Sequence, residues 1–318
     1  MILVVAVTGL VLVALPGWSY RRGRQLPPRQ WSALCTLALV AGVGLVLSAG
    51  ITAMALVTTH VVGSSLLRGL CGEVLGYLAP GGTLVAIGLS AVTLSVLAVG
   101  AYTLYVVDQT KKQAWMAAGV GARLQDRGPV ELVVLDDHRP SAYCVPARLG
   151  RPSQILLTTG LRDALDDDEV DLVCAHEEAH LRFAHGRYLT LAMTVERALW
   201  FWPPVRGSVR TLRGALERWA DEVATQGDAF ARSRLRSALV AVALAGERPT
   251  LAAFTTLDGF FERLTAMSQS NRAELPFVSK AALHSPGLLL AGVAPVLVAQ
   301  LGRGAFCLLT MANHCHSL

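Results

Sequence analysis

Long runs of apolar residues dominate the first third of the chain. Three of them contain no Asp, Glu, Lys or Arg and are long enough to cross a hydrocarbon core of roughly 30 Å as helices: residues 2–19, 32–58 and 83–107. The pattern therefore predicts three transmembrane helices within residues 1–107. A fourth apolar segment, about 288–311, contains Arg303, so we expect it to span only if that arginine reaches an interface or faces other helices.

Between the third and fourth apolar runs, the pattern changes to short strands and amphipathic helices. Segments 129–137 and 153–160 are short, rich in branched residues and bounded by Gly or Pro, which predicts two strands. We expect the second to present an exposed edge that an extended peptide can join as an added strand. Helices are predicted from Asp166–Asp168 onward, over 188–204 and about 208–228, and across 229–285.

Local signals refine two of these helices. The run Asp166–Asp168 suits N-cap and first-turn positions, where the helix dipole favours anions, and we prefer this interpretation to a calcium site. The helix over 188–204 is apolar but carries Glu196 and Arg197 at its centre, so it is predicted to be packed or interfacial rather than a span. We expect Pro203 and Pro204 to end it.

These patterns predict a mainly α fold with multi-pass membrane helices and a cytoplasmic α+β domain. The predicted organisation is a three-helix transmembrane region over 1–107, a cytoplasmic domain over 108–286 and a C-terminal transmembrane helix with a short tail over 287–318. A segment of this size between spans is long enough to form one domain with its own core.

Composition and charge support the membrane interpretation. The chain is 53% hydrophobic and only 16% charged, which is unusual for a soluble domain. Four arginines (21, 22, 24 and 29) lie between the first two spans, and Lys111 and Lys112 follow the third. The positive-inside rule then predicts that the N-terminus is outside and residues 108–286 are in the cytoplasm, and we expect the chain to lie in a bacterial inner membrane. We attribute the net charge of +5 to the basic residues that set this topology. The sequence contains no basic cluster of the kind that binds nucleic acid, so no nucleic-acid partner is expected.

The six cysteines contain no C-x-x-C pair, which argues against a disulfide scaffold or a cysteine zinc site. A pairing of Cys71 with Cys315, both outside in this topology, stays open. So does metal binding by the terminal "HCHS".

The stretch "CAHEEAHLRFAHG" contains the motif H-E-x-x-H. His176 and His180 are four residues apart, so both imidazoles lie on one helix face and can reach one metal ion. Glu177, beside His176, is placed to take the proton from the attacking water, as in zinc peptidases. Chance would produce the motif in fewer than about one in a hundred chains of this composition, so it favours a real site over a merely solvated charged face.

A third ligand is needed for tetrahedral zinc with an open fourth position. The segment "ERWAD" places Glu217 and Asp221 four residues apart on a predicted helix, 37 residues after His180. We expect Glu217 to bind the metal and Asp221 to accept a hydrogen bond from the far nitrogen of a ligand histidine. The alternative is that Glu217 is an exposed helix acid.

His185 follows His180 by five residues, which places it about 140° around a continuous helix and excludes it as the third ligand. The longer motif with a glycine at 183 and a histidine at 186 is also absent, because the chain has Phe183 and Gly186. His185 could contact a metal ligand, face the substrate or have only a structural role, and the sequence leaves these alternatives open. Glu178 is expected to face solvent or a neighbouring helix.

Several segments in sequence order resemble the membrane-embedded gluzincin peptidases: "AYCVP", "SQILLTTGL", "DDDEVDLVCAHEEAHLRFAHGRY", "WFWPP" and "LERWADE". The nearest are the BlaR/MecR-type sensor proteases, with the HtpX and CAAX prenyl protease groups as relatives, over about residues 129–230. The resemblance implies a zincin-like domain in which His176, His180 and Glu217 bind one Zn²⁺ and Glu177 is catalytic. It departs at Ala147, where relatives often have a glycine, and the sequence shows no penicillin-binding domain, so beta-lactam sensing is not expected.

The expected function is that of a membrane-bound zinc metalloendopeptidase that cuts a protein or peptide substrate at the cytoplasmic side. A regulatory protease that cleaves a repressor, and a catalytically silent zinc-binding membrane scaffold, are the alternatives. The expected partners are the substrate and the lipid bilayer, and the oligomeric state is left open. Tyr188, His185 and Arg218 are candidates for stabilising the oxyanion.

Overall fold

The computed structural model describes residues 2–62, 82–119, 122–127, 130–147, 150 and 152–245, with two single positions, 264 and 267. Its elements in chain order are α1 (Ile2–Trp18), α2 (Tyr20–Gly23), α3 (Pro28–Val62), α4 (Gly82–Ala118), β1 (Ala122–Arg127), β2 (Val130–Leu135), β3 (Ala142–Val145), β4 (Ser153–Thr158), α5 (Thr159–Ala164), α6 (Asp167–Arg182), α7 (His185–Ala198), α8 (Pro204–Thr225) and α9 (Ala229–Ala245). This part of the chain is mostly helical with one small sheet.

The three charge-free apolar stretches form helices α1, α3 and α4. Two of these helices contain segments long and apolar enough to cross a membrane, Pro28–Thr58 and Leu84–Met116, whereas α1 is a shorter apolar helix of 17 residues. α4 continues past the predicted end at residue 107 as far as Ala118. The predicted fourth span and the HCHS tail lie outside the described residues.

Glycines allow α1 and α3 to pack closely. A Cβ atom added at Gly9 would lie 2.6 Å from the carbonyl oxygen of Gly42, and one added at Gly42 would lie 2.6 Å from the carbonyl oxygen of Gly9. Small residues at a helix crossing let two backbones approach in this way.

The four described strands form one sheet in the order β1-β2-β4-β3. β4 is parallel to β2 and antiparallel to β3, so it is bonded on both sides. The prediction that segment 153–160 presents an open edge is therefore wrong. The shorter strand β3 occupies the position beside β4, and it is β3 that lies at an edge of the described sheet. Sequence pattern cannot distinguish these positions, because strand order depends on pairing between distant segments.

The helix start at the acidic run is confirmed. Asp166 is the N-cap of α6, and its carboxylate accepts a hydrogen bond from the backbone N–H of Glu169 at 2.9 Å. The Glu169 side chain accepts one from the backbone N–H of Asp166, which completes a capping box. This local motif fixes where α6 begins and therefore where its histidines lie.

The prolines mark the start of the next helix, and the prediction that they end α7 is wrong. α7 ends at Ala198, several residues before the prolines, and α8 begins with Pro204 in its first position. Proline suits that position because its missing N–H would have no helical partner there. The helix expected over 188–204 is therefore shorter at its C-terminal end, and the helix expected at 208 begins four residues earlier.

One apolar core joins the N-terminal helices to α7 and α8. Its fully or nearly fully buried members include Val13 of α1, Leu39 of α3, Val96 of α4, Val195 of α7 and Leu212 of α8. The backbone N–H of Gly17 also donates a hydrogen bond to the Ser208 hydroxyl at 3.0 Å. The boundary at 107 stays a prediction, but the packing is continuous across it.

Candidate metal centre

Helix α6 places two imidazoles side by side. His176 and His180 are one turn apart, and their Nε2 atoms lie 3.1 Å from each other. His176 is almost completely buried and His180 is largely buried, with side-chain exposures of 8% and 11%. Two ring nitrogens this close can bind the same metal ion.

Helix α8 brings a carboxylate to the same point. Glu217 Oε2 lies 3.5 Å from His176 Nε2, and Glu217 Oε1 lies 3.7 Å from His180 Nε2. The ligand atoms of the three residues all lie within 4.8 Å of one another. Ligands bound tetrahedrally at about 2.05 Å from zinc would be about 3.3 Å apart, so these separations and this donor set fit a zinc ion. The long-range convergence that the sequence predicted is present, while metal binding itself stays a prediction.

Asp221 lies behind His176. Its Oδ1 is 2.9 Å from His176 Nδ1, and both side chains are 8% exposed. Because Asp221 follows Glu217 by one helical turn, the same face of α8 presents one acid to the Nε2 side of His176 and the other to its Nδ1 side. A carboxylate in this position fixes which ring nitrogen carries the proton and leaves Nε2 free for a metal ion.

Glu177 lines the cleft together with the two histidines. The thiol of Cys144, on the edge strand β3, donates a hydrogen bond to its carboxylate. Burial, and after it the negative charge of Glu177, raise the pKa of the Cys144 thiol well above its usual value. Glu178, by contrast, is exposed to solvent, which is one of the two placements predicted for it.

The expected placement of His185, about 140° away from His180 on one helix, is wrong. α6 ends at Arg182, and Ala184 adopts a left-handed conformation with φ 53° before α7 begins at His185. This turn carries the His185 ring back to His180, where the two Nδ1 atoms are 2.9 Å apart. His185 is fully buried, and burial together with His180 lowers its pKa to about 3. A left-handed alanine leaves no sequence signal, so helix periodicity could not have found the contact.

The three candidates for oxyanion stabilisation do not line the described cleft. His185 is buried behind His180. Arg218 is buried and donates a hydrogen bond to the carbonyl oxygen of Arg24 at 3.2 Å, which directs it toward the turn before α3. Tyr188 packs against the core that joins α7 and α8.

The cleft itself has a volume of about 300 Å³ and reaches from His176, His180 and Glu217 to helix α9. β3 borders one side, and apolar side chains form much of the remaining wall: Leu161, Val173, Leu189, Leu235, Leu239 and Val242. No sequence motif assigns Cys144 or α9 to the site, because both reach it through the packing of segments that are distant in the chain. Two histidines and two glutamates therefore line one part of a cleft whose other walls are mostly apolar.

Helices α6 and α8 bring two histidines and a glutamate together beside Glu177 and the edge strand β3, in an arrangement that could hold a metal ion. Residues 105–243 match the model of Peptidase family M48, which indicates a metallopeptidase. The chain is also 29% identical over 150 residues to Plastoglobule-localized metallopeptidase 48, chloroplastic, of Arabidopsis thaliana, a match that covers 46% of this chain and 43% of that relative. No solved structure shows a significant match.

Proposed function

We propose that the protein is a membrane-bound zinc metalloendopeptidase. The observation that carries the proposal is the convergence of His176, His180 and Glu217 beside Glu177 in a cleft bordered by an edge strand. The family match supports a metallopeptidase without specifying the metal or the substrate.

In this proposal, His176 and His180 hold the metal through Nε2 and Glu217 holds it through its carboxylate. Asp221 accepts the Nδ1–H of His176 and so keeps that ring in the binding tautomer. A bound zinc ion would supply Lewis acidity for the attacking water and the peptide carbonyl.

Glu177 would act as the general base. Its carboxylate takes the proton from the attacking water and returns it to the leaving amine, so that no net proton is consumed within the site. The Cys144 thiol orients the carboxylate from the β3 side without competing for the proton, because its raised pKa keeps it neutral.

The substrate would be an extended peptide lying along β3. An edge strand has unpaired backbone groups that a peptide can join, which moves the predicted strand addition from β4 to β3. The apolar wall contributed by α9 favours substrates with apolar side chains near the cut bond. The substrate class is therefore proteins with extended, apolar segments.

Membrane attachment is supported by the apolar surface of the helices. Side chains of α4 are widely exposed although they are apolar, including Leu84 (76%), Leu94, Leu97, Leu104 and Tyr105. A surface of this kind is rare on soluble proteins and common where lipid covers it. We propose that residues 108–286 are cytoplasmic, as the positive-inside rule indicates.

The test compares the purified wild type with Glu177→Gln, and uses Glu178→Gln as the matched control on the exposed neighbouring acid. We expect all three proteins to hold one zinc ion by elemental analysis. Peptide cleavage should fall by about 10²–10⁴-fold in Glu177→Gln, the usual contribution of a general base, and stay near the wild-type rate in Glu178→Gln.

Two results would contradict the proposal in different ways. A wild type that retains no zinc would remove the site assignment. A wild type that holds zinc but cleaves none of a broad peptide set, with Glu177→Gln behaving identically, would instead favour the catalytically silent scaffold.

A further inference from the structure

We infer that His185 is a positioning residue that holds His180 in its metal-binding tautomer, in the role that Asp221 has for His176. The inference rests on the proposed function, because it assigns a partner to one of the proposed ligands. It adds to that proposal a residue outside the H-E-x-x-H motif and the Glu217–Asp221 pair.

The geometry starts from the proton on His180. If Nε2 of His180 binds a metal ion, the proton of the neutral ring must be on Nδ1, which then needs an acceptor. His185 Nδ1 lies 2.9 Å from His180 Nδ1, and the two rings meet edge to face with centroids 4.8 Å apart. A neutral His185 with its own proton on Nε2 provides that acceptor.

The surroundings fix the ring of His185 in this position. It is fully buried, and the Trp219 ring of α8 lies 4.7 Å away between centroids. Phe183 and Tyr188 pack on it at 6.1 Å and 6.5 Å. Because α8 carries Glu217 and Asp221 as well as Trp219, one helix supports both histidines of α6.

A purely structural role accounts poorly for a histidine here. Its Nε2 is buried with no hydrogen-bond partner among the residues that the structure describes. Burying a polar atom unpaired is unfavourable, and an apolar side chain of similar size would fill the space without that penalty. The accepting Nδ1 is the feature that such a side chain would lack.

The test uses His185→Asn and His185→Leu in the purified full chain, with zinc affinity measured by competition with a chelator of known affinity. The two side chains have the same number and branching of heavy atoms, but only Asn offers an acceptor close to the position of Nδ1. We expect the Leu variant to bind zinc about 10–100-fold more weakly than the wild type, the usual effect of losing such a partner, and the Asn variant to recover most of the affinity. Tyr188→Phe is the neighbouring control and should bind as the wild type does.

Equal zinc affinity in the folded Leu variant and the wild type would overturn the inference while leaving the proposed function intact. Equal weakening in the Asn and Leu variants would overturn it as well, since it would show that packing rather than the acceptor matters. If the Leu variant does not fold, His185→Phe provides the same loss of acceptor with an aromatic ring in place. A wild type without zinc would instead refute the proposed function, and this inference with it.

Discussion

At the residue scale, the candidate site contains three pairs of titratable groups in close contact. Asp221 faces Nδ1 of His176, His185 faces Nδ1 of His180, and the Cys144 thiol faces the carboxylate of Glu177. In each pair, the residue named second (His176, His180 or Glu177) also lines the cleft. The proposed mechanism therefore also uses groups that need not touch the substrate themselves.

The thiol of Cys144 provides a prediction that is independent of the metal. Because burial and Glu177 both raise its pKa, the thiolate fraction should be very small at pH 8, and alkylation by iodoacetamide should be slow. The rate should rise about tenfold between pH 8 and pH 9 without a plateau, since both values lie below the raised pKa. Mass spectrometry of the peptide that contains Cys144 gives the rate.

Glu177→Gln should accelerate this alkylation, because it removes the negative charge that disfavours the thiolate. Glu178→Gln, which changes an exposed acid, should leave the rate unchanged. Equal rates in the wild type and Glu177→Gln would show that the carboxylate does not act on this thiol.

At the scale of elements, the helix ends decide where the functional side chains lie. The capping box determines where α6 begins. After α6 ends, the left-handed backbone at Ala184 changes the direction of the chain, so the His185 side chain contacts His180. The start could be predicted because capping is a local interaction between residues three apart. The turn after α6 could not be predicted. Glycine is the residue that usually signals a left-handed position, but here the left-handed residue is Ala184 and the nearby Gly186 lies inside α7.

The glycine contact between α1 and α3 provides the prediction at this scale. Gly42→Leu should separate the two helices, since even a Cβ atom at this position would lie 2.6 Å from a backbone carbonyl oxygen of α1. We expect a lower midpoint of thermal unfolding in detergent and weaker packing of α8, which also contacts α1.

Gly88→Leu is the matched control, because a Cβ atom there would meet nothing within 4 Å and the residue lies on another apolar helix. Its unfolding midpoint should stay close to that of the wild type. A similar loss of stability in both variants would mean that the α1–α3 contact has no special importance.

At the scale of the whole molecule, helix α8, which carries Glu217 and Asp221, contacts the arginine-rich segment between α1 and α3. Arg218 donates to the carbonyl oxygen of Arg24, and the Arg29 guanidinium lies 5.8 Å from the centre of the Trp219 ring. The candidate site therefore lies close to the segment between α1 and α3 that carries the arginines. In the proposed topology, the cleft and this basic segment lie on the same side of the membrane.

The topology prediction follows from this arrangement. In intact cells, a membrane-impermeant maleimide should not label the S237C variant, whose substituted position is exposed on α9 near the cleft. Labelling should appear once the cells are permeabilised, and mass spectrometry should locate it at position 237. Cys71, expected outside, is the positive control for reagent access, and labelling of S237C in intact cells would contradict a cytoplasmic site.

The sequence alone determined the features that depend on neighbouring residues. The one-turn spacing of His176 and His180, the cap at Asp166 and the long apolar helices follow from local periodicity and capping, which act over a few residues. Tertiary structure decided which strand forms the edge, how Glu217 meets the histidine pair and where His185 points. Those features depend on pairing and packing between segments far apart in the chain, and on one backbone turn that its residue types do not signal, so only the folded chain brings them together.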